Sequence, residues 1–141
     1  MGVVANFQHK ADNGQLTVGI IGLGYVGLPT AIGFHDAGFE VWGVDVSQRT
    51  VDLVKAGKNP TGDPDVDDIV PAPGTERWHI TTSSAEAVPH CDVILVTVPT
   101  PITHDLNLTF PMLQRLAEMY SRLFEKAPAQ LLFLNQQFIR V

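Results

Sequence analysis

Three glycines at a fixed spacing are the residues with the clearest chemical use in this sequence. Gly22, Gly24 and Gly27 form a G-x-G-x-x-G pattern between an apolar run and an amphipathic one. Glycine allows a tight turn out of a strand, lets the backbone approach a ligand and lets the next helix pack closely. The amides of Tyr25 and Val26 would then donate to a phosphate at the start of the helix. The pattern predicts a pyrophosphate site, although it also fits a strand-to-helix turn without a ligand.

An acidic residue follows the glycines at the distance that a dinucleotide site requires. Asp45 ends the second apolar run, close to the expected spacing of about 20 residues. Its carboxylate can accept hydrogen bonds from both hydroxyls of an adenosine ribose and would repel a 2′-phosphate, which favours NAD over NADP. Arg49 leaves two interpretations open, because it can accommodate a 2′-phosphate or be solvated on the second helix.

Short buried strands that alternate with helices must position these residues. Apolar runs predict strands at 16–21, 41–45, 78–81, 93–98 and 131–134. Helical spacing and capping residues predict helices at 25–37, 48–56, 84–88 and 112–126, and a short helical turn at 66–70 within a loop at 59–74. This alternation predicts an α/β fold of the Rossmann type, a doubly wound parallel sheet, here incomplete at its C-terminal end.

A proline-rich segment follows the fourth predicted strand, where the strand order of such a sheet reverses. Ligands bind at this point of doubly wound sheets, although two prolines also simply end a strand. The predicted cofactor-binding residues are therefore Gly22, Gly24, Tyr25, Val26, Gly27, Asp45, Arg49, Val98, Pro99, Thr100 and Pro101.

Composition and charge narrow the class of protein. A net charge of -6 with nine Lys and Arg argues against nucleic acid as a partner. No run approaches the roughly 20 apolar residues that cross a bilayer, and residues 1–15 are too polar for a signal peptide, so we expect a cytoplasmic protein without a membrane partner. The five histidines lack metal-ligand spacing, so no metal site is expected, and Cys91 is predicted to be a packing residue.

From about Val18 to Leu113 the chain resembles the N-terminal, NAD-binding domain of the UDP-glucose/GDP-mannose dehydrogenase family. The resemblance is carried by residues 19–31 (GIIGLGYVGLPTA), residues 43–46 (GVDV), the 57–70 loop with Asp63-Pro64, and residues 98–101 (VPTP). Within the family, the second strand and the Asp63-Pro64 segment are most similar to the UDP-N-acetylmannosamine and UDP-N-acetylglucosamine 6-dehydrogenases.

The resemblance implies NAD as cofactor and a role in making polysaccharide precursors. Such enzymes oxidise the C6 alcohol of a UDP-sugar to a carboxylate by two hydride transfers to NAD, through a cysteine-bound thiohemiacetal and thioester. The catalytic cysteine and its lysine, asparagine and aspartate partners would lie beyond residue 141, so we expect no catalytic residue in this chain and no turnover by it alone. A Glu-Ser-Thr segment that helps bind the nicotinamide half is replaced here by residues 135–138 (NQQF).

The resemblance also implies how the chain is organised. We expect a polar extension at 1–15 and an NAD-binding domain at 16–141, without the family's central helix and C-terminal UDP-sugar domain. A UDP-sugar substrate and a homodimer are expected only of a full-length protein. Two alternatives stay open: a stand-alone NAD-binding or interaction module with an apolar edge strand at 131–134, and an S-adenosylmethionine-dependent methyltransferase, against which the glycine pattern and the VPTP segment weigh.

Overall fold

The computed structural model of the chain describes residues 3–97 and 130–133. In chain order the elements are helix α1 (Val3–Asp12), strand β1 (Thr17–Ile21), helix α2 (Gly27–Asp36), strand β2 (Glu40–Val44), helix α3 (Gln48–Lys55), a 3-10 helix (Pro64–Val66), strand β3 (Trp78–Thr81), helix α4 (Ser84–Ala87), a second 3-10 helix (Val88–His90), strand β4 (Val93–Val96) and strand β5 (Gln130–Phe133).

The five strands form one parallel sheet in the order β3-β2-β1-β4-β5. Strand β1 is central and pairs with β2 on one side and with β4 on the other. Strand order therefore reverses between β1 and β4, as the strand and helix alternation predicts. In this register Ile21 lies opposite both Val44 and Val96, so the three central strands end at the same edge of the sheet. The doubly wound parallel sheet is confirmed.

Alternating residues of β1 enter two separate apolar clusters, one on each face of the sheet. Ile20 packs with Leu28 and Ile32 of α2 in the larger cluster. Ile21 packs with Val88 and other residues in the smaller cluster. Each fully buried aliphatic side chain contributes on the order of 1.5–3 kcal/mol. Burial on both faces explains why the strands read as continuous apolar runs.

The N-terminal residues form a helix for which the polar sequence gave no indication. Within α1 the Lys10 Nζ atom lies 2.8 Å from Asp92 Oδ1, and the Thr17 N–H donates to Asp92 Oδ2 at 3.0 Å. Asp92 therefore joins α1 to the start of β1. Most α1 side chains that the structure describes are exposed, so the helix has little apolar signal to detect. Among residues 3–97 and 130–133, no helix is long and apolar enough to cross a membrane.

Several predicted boundaries differ from the structure. The helical turn predicted at 66–70 begins two residues earlier, as a 3-10 helix at Pro64–Val66, and residues 67–69 continue it as a turn in which the Ile69 N–H donates to the Val66 carbonyl at 3.2 Å. The Asp63 side chain accepts from the Asp65 N–H at 3.1 Å, and proline suits the first turn of such a helix. Strand β2 ends at Val44 rather than at residue 45, and β5 begins one residue before the predicted strand. The helix predicted at 112–126 lies outside the described residues.

Candidate functional site

The turn that leaves β1 depends on glycine at its first position. Gly22 has a φ of +97°, in the left-handed region that side chains disfavour. Its N–H donates to the Val44 carbonyl at 2.8 Å, so the turn is fixed to the end of β2. The predicted role of Gly22 as the residue of a tight turn is confirmed.

The third glycine lets α2 begin directly against this turn. A Cβ atom at Gly27 would overlap the Gly22 carbonyl oxygen and the Thr97 hydroxyl. The Leu28 N–H donates to the Gly24 carbonyl at 3.1 Å, so helical hydrogen bonding starts within the glycine pattern. The predicted close packing at Gly27 is confirmed.

The second glycine lies on the open side of the turn. A Cβ atom at Gly24 would meet no atom within 4 Å in the structure described. The N–H groups of Gly24, Tyr25 and Val26 have no acceptor among residues 3–97 and 130–133. Free amides at a helix start, next to open space, suit an anion. This part of the structure therefore fits the diphosphate of a dinucleotide.

Asp45 lies directly after β2 and contacts the glycine-rich turn. Its Oδ2 atom accepts from the Leu23 N–H at 2.9 Å, and its Oδ1 atom accepts from the Ser47 N–H at 2.9 Å. Spacing predicted that this carboxylate lies beside the turn, but not that it binds the backbone on both sides. Each carboxylate oxygen can accept a second hydrogen bond. Asp45 therefore retains one acceptor position on each oxygen for a pair of hydroxyl groups.

The start of α3 carries the remaining polar side chains near Asp45. Ser47 caps the helix as predicted, with its hydroxyl accepting from the Thr50 N–H at 3.2 Å. Arg49 is exposed on the first turn of α3 and forms no ion pair with any residue in 3–97 or 130–133. The Asp45 carboxylate is therefore not neutralised by Arg49. Val46, between Asp45 and the helix, is 96% exposed.

One residue that contacts the glycine-rich turn was missed by sequence reasoning. Thr97 follows β4, and its hydroxyl donates to the Gly22 carbonyl at 2.7 Å while being buried. The sequence feature that could have indicated this role is the one hydroxyl side chain in the apolar run at 93–98. The proline-rich residues assigned to the cofactor, Val98, Pro99, Thr100 and Pro101, lie outside the described residues.

Cys91 is confirmed as a packing residue. A Cβ atom added to Gly19 would lie 2.7 Å from the Cys91 Sγ atom, so the thiol fills the space over β1. Burial, together with the negative charges of Asp92 and Glu40, raises the pKa of Cys91 to about 12. A thiol with such a pKa stays protonated and is a poor nucleophile.

Two of the histidines lie within hydrogen-bond distance of residues far along the chain. His35 is buried with its Nε2 atom 2.9 Å from the Glu76 carbonyl, and His79 Nε2 lies 2.9 Å from Glu40 Oε1. Over the described ranges, no group of three or more His, Cys, Asp or Glu side chains is arranged to hold a metal ion.

Comparison with known proteins shows the family to which this chain belongs. Residues 16–131 match the UDP-glucose/GDP-mannose dehydrogenase family, NAD binding domain. An NDP-N-acetyl-D-galactosaminuronic acid dehydrogenase of Ralstonia nicotianae is 38% identical over 85 residues, covering 60% of this chain and 19% of that protein. The UDP-N-acetyl-D-mannosamine dehydrogenase of Escherichia coli K12 is 34% identical over 96 residues, covering 67% of this chain and 22% of that protein. The chain thus spans about a fifth of the length of these relatives.

A solved structure of a GDP-mannose dehydrogenase has the same fold as this chain. A ternary complex of GDP-mannose dehydrogenase from Pseudomonas aeruginosa superposes with a TM-score of 0.74 at 28% identity, covering 84% of this chain and 28% of that one. These matches give no support to the methyltransferase alternative. With its parallel sheet, glycine-rich turn and matched sequence, this chain belongs to the UDP-glucose/GDP-mannose dehydrogenase family and carries the family's NAD-binding domain.

Proposed function

We propose that the glycine-rich turn and Asp45 together hold the adenosine diphosphate half of NAD. The observation that carries this proposal is the combination of free amides and open space at Gly24 with a carboxylate bound to the adjacent Leu23 N–H at 2.9 Å. The amides of Gly24, Tyr25 and Val26 bind the diphosphate, and Asp45 binds the ribose hydroxyls. Gly22 and Gly27 act by shaping the turn.

The charge at Asp45 supports NAD over NADP. A 2′-phosphate on the ribose would lie close to a carboxylate that Arg49 does not neutralise, and like charges at short range repel strongly in a partly desolvated site. Arg49 lies four residues after Asp45 and supplies a positive charge at the edge of the proposed site. The proposed set also includes the segment Val98–Pro99–Thr100–Pro101, because it follows β4 in the sequence and β4 pairs with β1.

The activity of the whole protein is proposed from its relatives. We infer that the domain, taken as residues 16–141, supplies the hydride acceptor for oxidation of a UDP-sugar C6 alcohol to a carboxylate, with a UDP-N-acetylhexosamine as the favoured substrate class. The matched Ralstonia and Escherichia proteins, an NDP-N-acetyl-D-galactosaminuronic acid dehydrogenase and a UDP-N-acetyl-D-mannosamine dehydrogenase, support this class. In this proposal a further part of the protein binds the substrate and carries the catalytic cysteine. The whole protein is proposed to be a cytoplasmic homodimer.

A methyl group at Gly24 tests the site without disturbing the fold. Because a Cβ there meets no atom of the described residues within 4 Å and the backbone is outside the left-handed region, Gly24→Ala should have the same free energy of unfolding as the wild type. The same methyl would separate the diphosphate from the amides, and losing even one charge-assisted hydrogen bond of roughly 1.5–3 kcal/mol weakens binding by about tenfold or more. Isothermal titration calorimetry with NAD measures this loss.

Gly33→Ala is the matched control for this experiment. Gly33 lies later in α2 and is exposed. A Cβ added there also meets no described atom within 4 Å, but Gly33 is not part of the glycine-rich turn. The control should bind NAD as the wild type does. Equal NAD affinity of wild type and Gly24→Ala would place the diphosphate elsewhere, and the absence of NAD binding by the wild type would refute the proposal altogether.

A further inference from the structure

Thr97 connects the end of β4 to the turn that follows β1. Its backbone N–H donates to the Ile21 carbonyl at 2.8 Å, which extends the pairing of β1 and β4 by one residue. Its hydroxyl lies 2.7 Å from the Gly22 carbonyl oxygen and 3.2 Å from that of Ile21, and the residue is 1% exposed. The shorter contact makes Gly22 the principal acceptor of the single hydroxyl proton.

This hydroxyl fixes the orientation of the peptide that opens the turn. The Gly22 N–H is held by the Val44 carbonyl of β2 at 2.8 Å, and the Gly22 carbonyl is held by Thr97 after β4. The next amide, at Leu23, donates to Asp45 at 2.9 Å. Three consecutive polar groups of the turn are thus bound, two by residues at the end of β2 and one by Thr97, and the amides at 24–26 follow directly from them.

The Gly22 carbonyl has no room to adopt another orientation cheaply. It lies against Gly27, where an added Cβ would overlap both this oxygen and the Thr97 hydroxyl. A buried carbonyl that loses its donor must stay unsatisfied or rotate its peptide plane. Rotation of the Gly22–Leu23 peptide would move the Leu23 N–H away from Asp45 and change the direction of the free amides.

We propose that Thr97 is a positioning residue for NAD, acting through the Gly22 carbonyl to set the amides that bind the diphosphate. The inference rests on the proposed function of the turn. It assigns to a buried threonine outside the glycine pattern a share of the affinity for the diphosphate. The effect on adenosine is smaller, because Asp45 keeps its hydrogen bond from the Ser47 N–H when the Leu23 N–H moves.

Three variants of the 141-residue chain separate this role from a purely structural one. Thr97→Val keeps the shape and removes the hydroxyl, Thr97→Ser keeps the hydroxyl and removes the methyl, and Thr97→Ala removes both. NAD and adenosine affinities are measured by titration followed in 15N-1H correlation spectra, and urea unfolding reports the stability of each variant. If Thr97→Val fails to fold, the comparison of Thr97→Ser with Thr97→Ala takes its place.

The expected result is a loss of about tenfold in NAD affinity for Thr97→Val, adenosine affinity within about twofold of wild type, and NAD affinity within about twofold for Thr97→Ser. The amide signals of Tyr25 and Val26 should shift in ligand-free Thr97→Val but not in Thr97→Ser. Unchanged NAD affinity in Thr97→Val, or equal weakening of NAD and adenosine, overturns the inference while leaving the proposed function intact. A wild type that does not bind NAD overturns both.

Discussion

Alanine at two positions of the same helix should change stability in opposite directions. Gly27 and Gly33 both lie in α2, and sequence-based helix propensity favours alanine at either. The surroundings differ. An added Cβ at Gly27 overlaps the Gly22 carbonyl oxygen and the Thr97 hydroxyl, whereas one at Gly33 meets no atom within 4 Å in the part of the chain that the structure describes. The pair therefore isolates the contact between α2 and the turn from the propensity of the helix.

The magnitude follows from which atoms would have to move. At Gly27 the clashing atoms are a backbone carbonyl and a hydroxyl already bound to it at 2.7 Å, so neither is the free end of a flexible side chain. Overpacking a rigid site costs roughly 1–3 kcal/mol, and a buried carbonyl that loses its donor costs roughly 1–3 kcal/mol more. We expect Gly27→Ala to lower the free energy of unfolding by about 2–6 kcal/mol and Gly33→Ala to raise it by about 0.5–1 kcal/mol.

Urea unfolding followed by tryptophan fluorescence and far-ultraviolet circular dichroism measures both variants. Trp42 and Trp78 lie on β2 and β3, so their emission reports on the sheet. Against a total stability of roughly 5–15 kcal/mol, the Gly27→Ala midpoint should fall well below that of the wild type. A Gly27→Ala variant within about 0.5 kcal/mol of the wild type would refute the reasoning, because the turn could then move without cost.

Two further predictions concern a charge and a thiol. Asp45→Asn removes the negative charge beside the turn, so we expect the ratio of NAD to NADP affinity, measured by calorimetry, to fall at least about tenfold; an unchanged ratio would show that another group excludes the 2′-phosphate. Cys91 should resist iodoacetamide at pH 8.5 in the folded chain and react in urea, since burial holds its pKa near 12 against an ordinary 9.0. Because the folded pKa is the higher one, the stability from the neutral thiol is fully present below pH 9 and is lost as pH rises toward 12, and rapid alkylation of the folded chain would contradict this assignment.

Features that depend only on residues close together in the sequence could be predicted from the sequence alone. The glycine pattern, the Ser47 cap and the apolar runs were each readable, because turn geometry, capping and burial on both faces restrict residue type directly. Helix α1 was not predicted because most of its described side chains are exposed, and the contact that joins it to the sheet, Lys10 with Asp92, lies between residues far apart along the chain.

Only the tertiary structure decided how the site is held together. The sequence placed Asp45 at the right spacing for a ribose, but its bond to the Leu23 amide arises from the parallel register of β1 and β2. In the sequence, Thr97 is one more residue of the fourth predicted strand. In the structure, pairing of β4 with β1 brings its hydroxyl to the Gly22 carbonyl. Contacts between residues so far apart along the chain follow from strand order and register, which single-residue preferences do not specify.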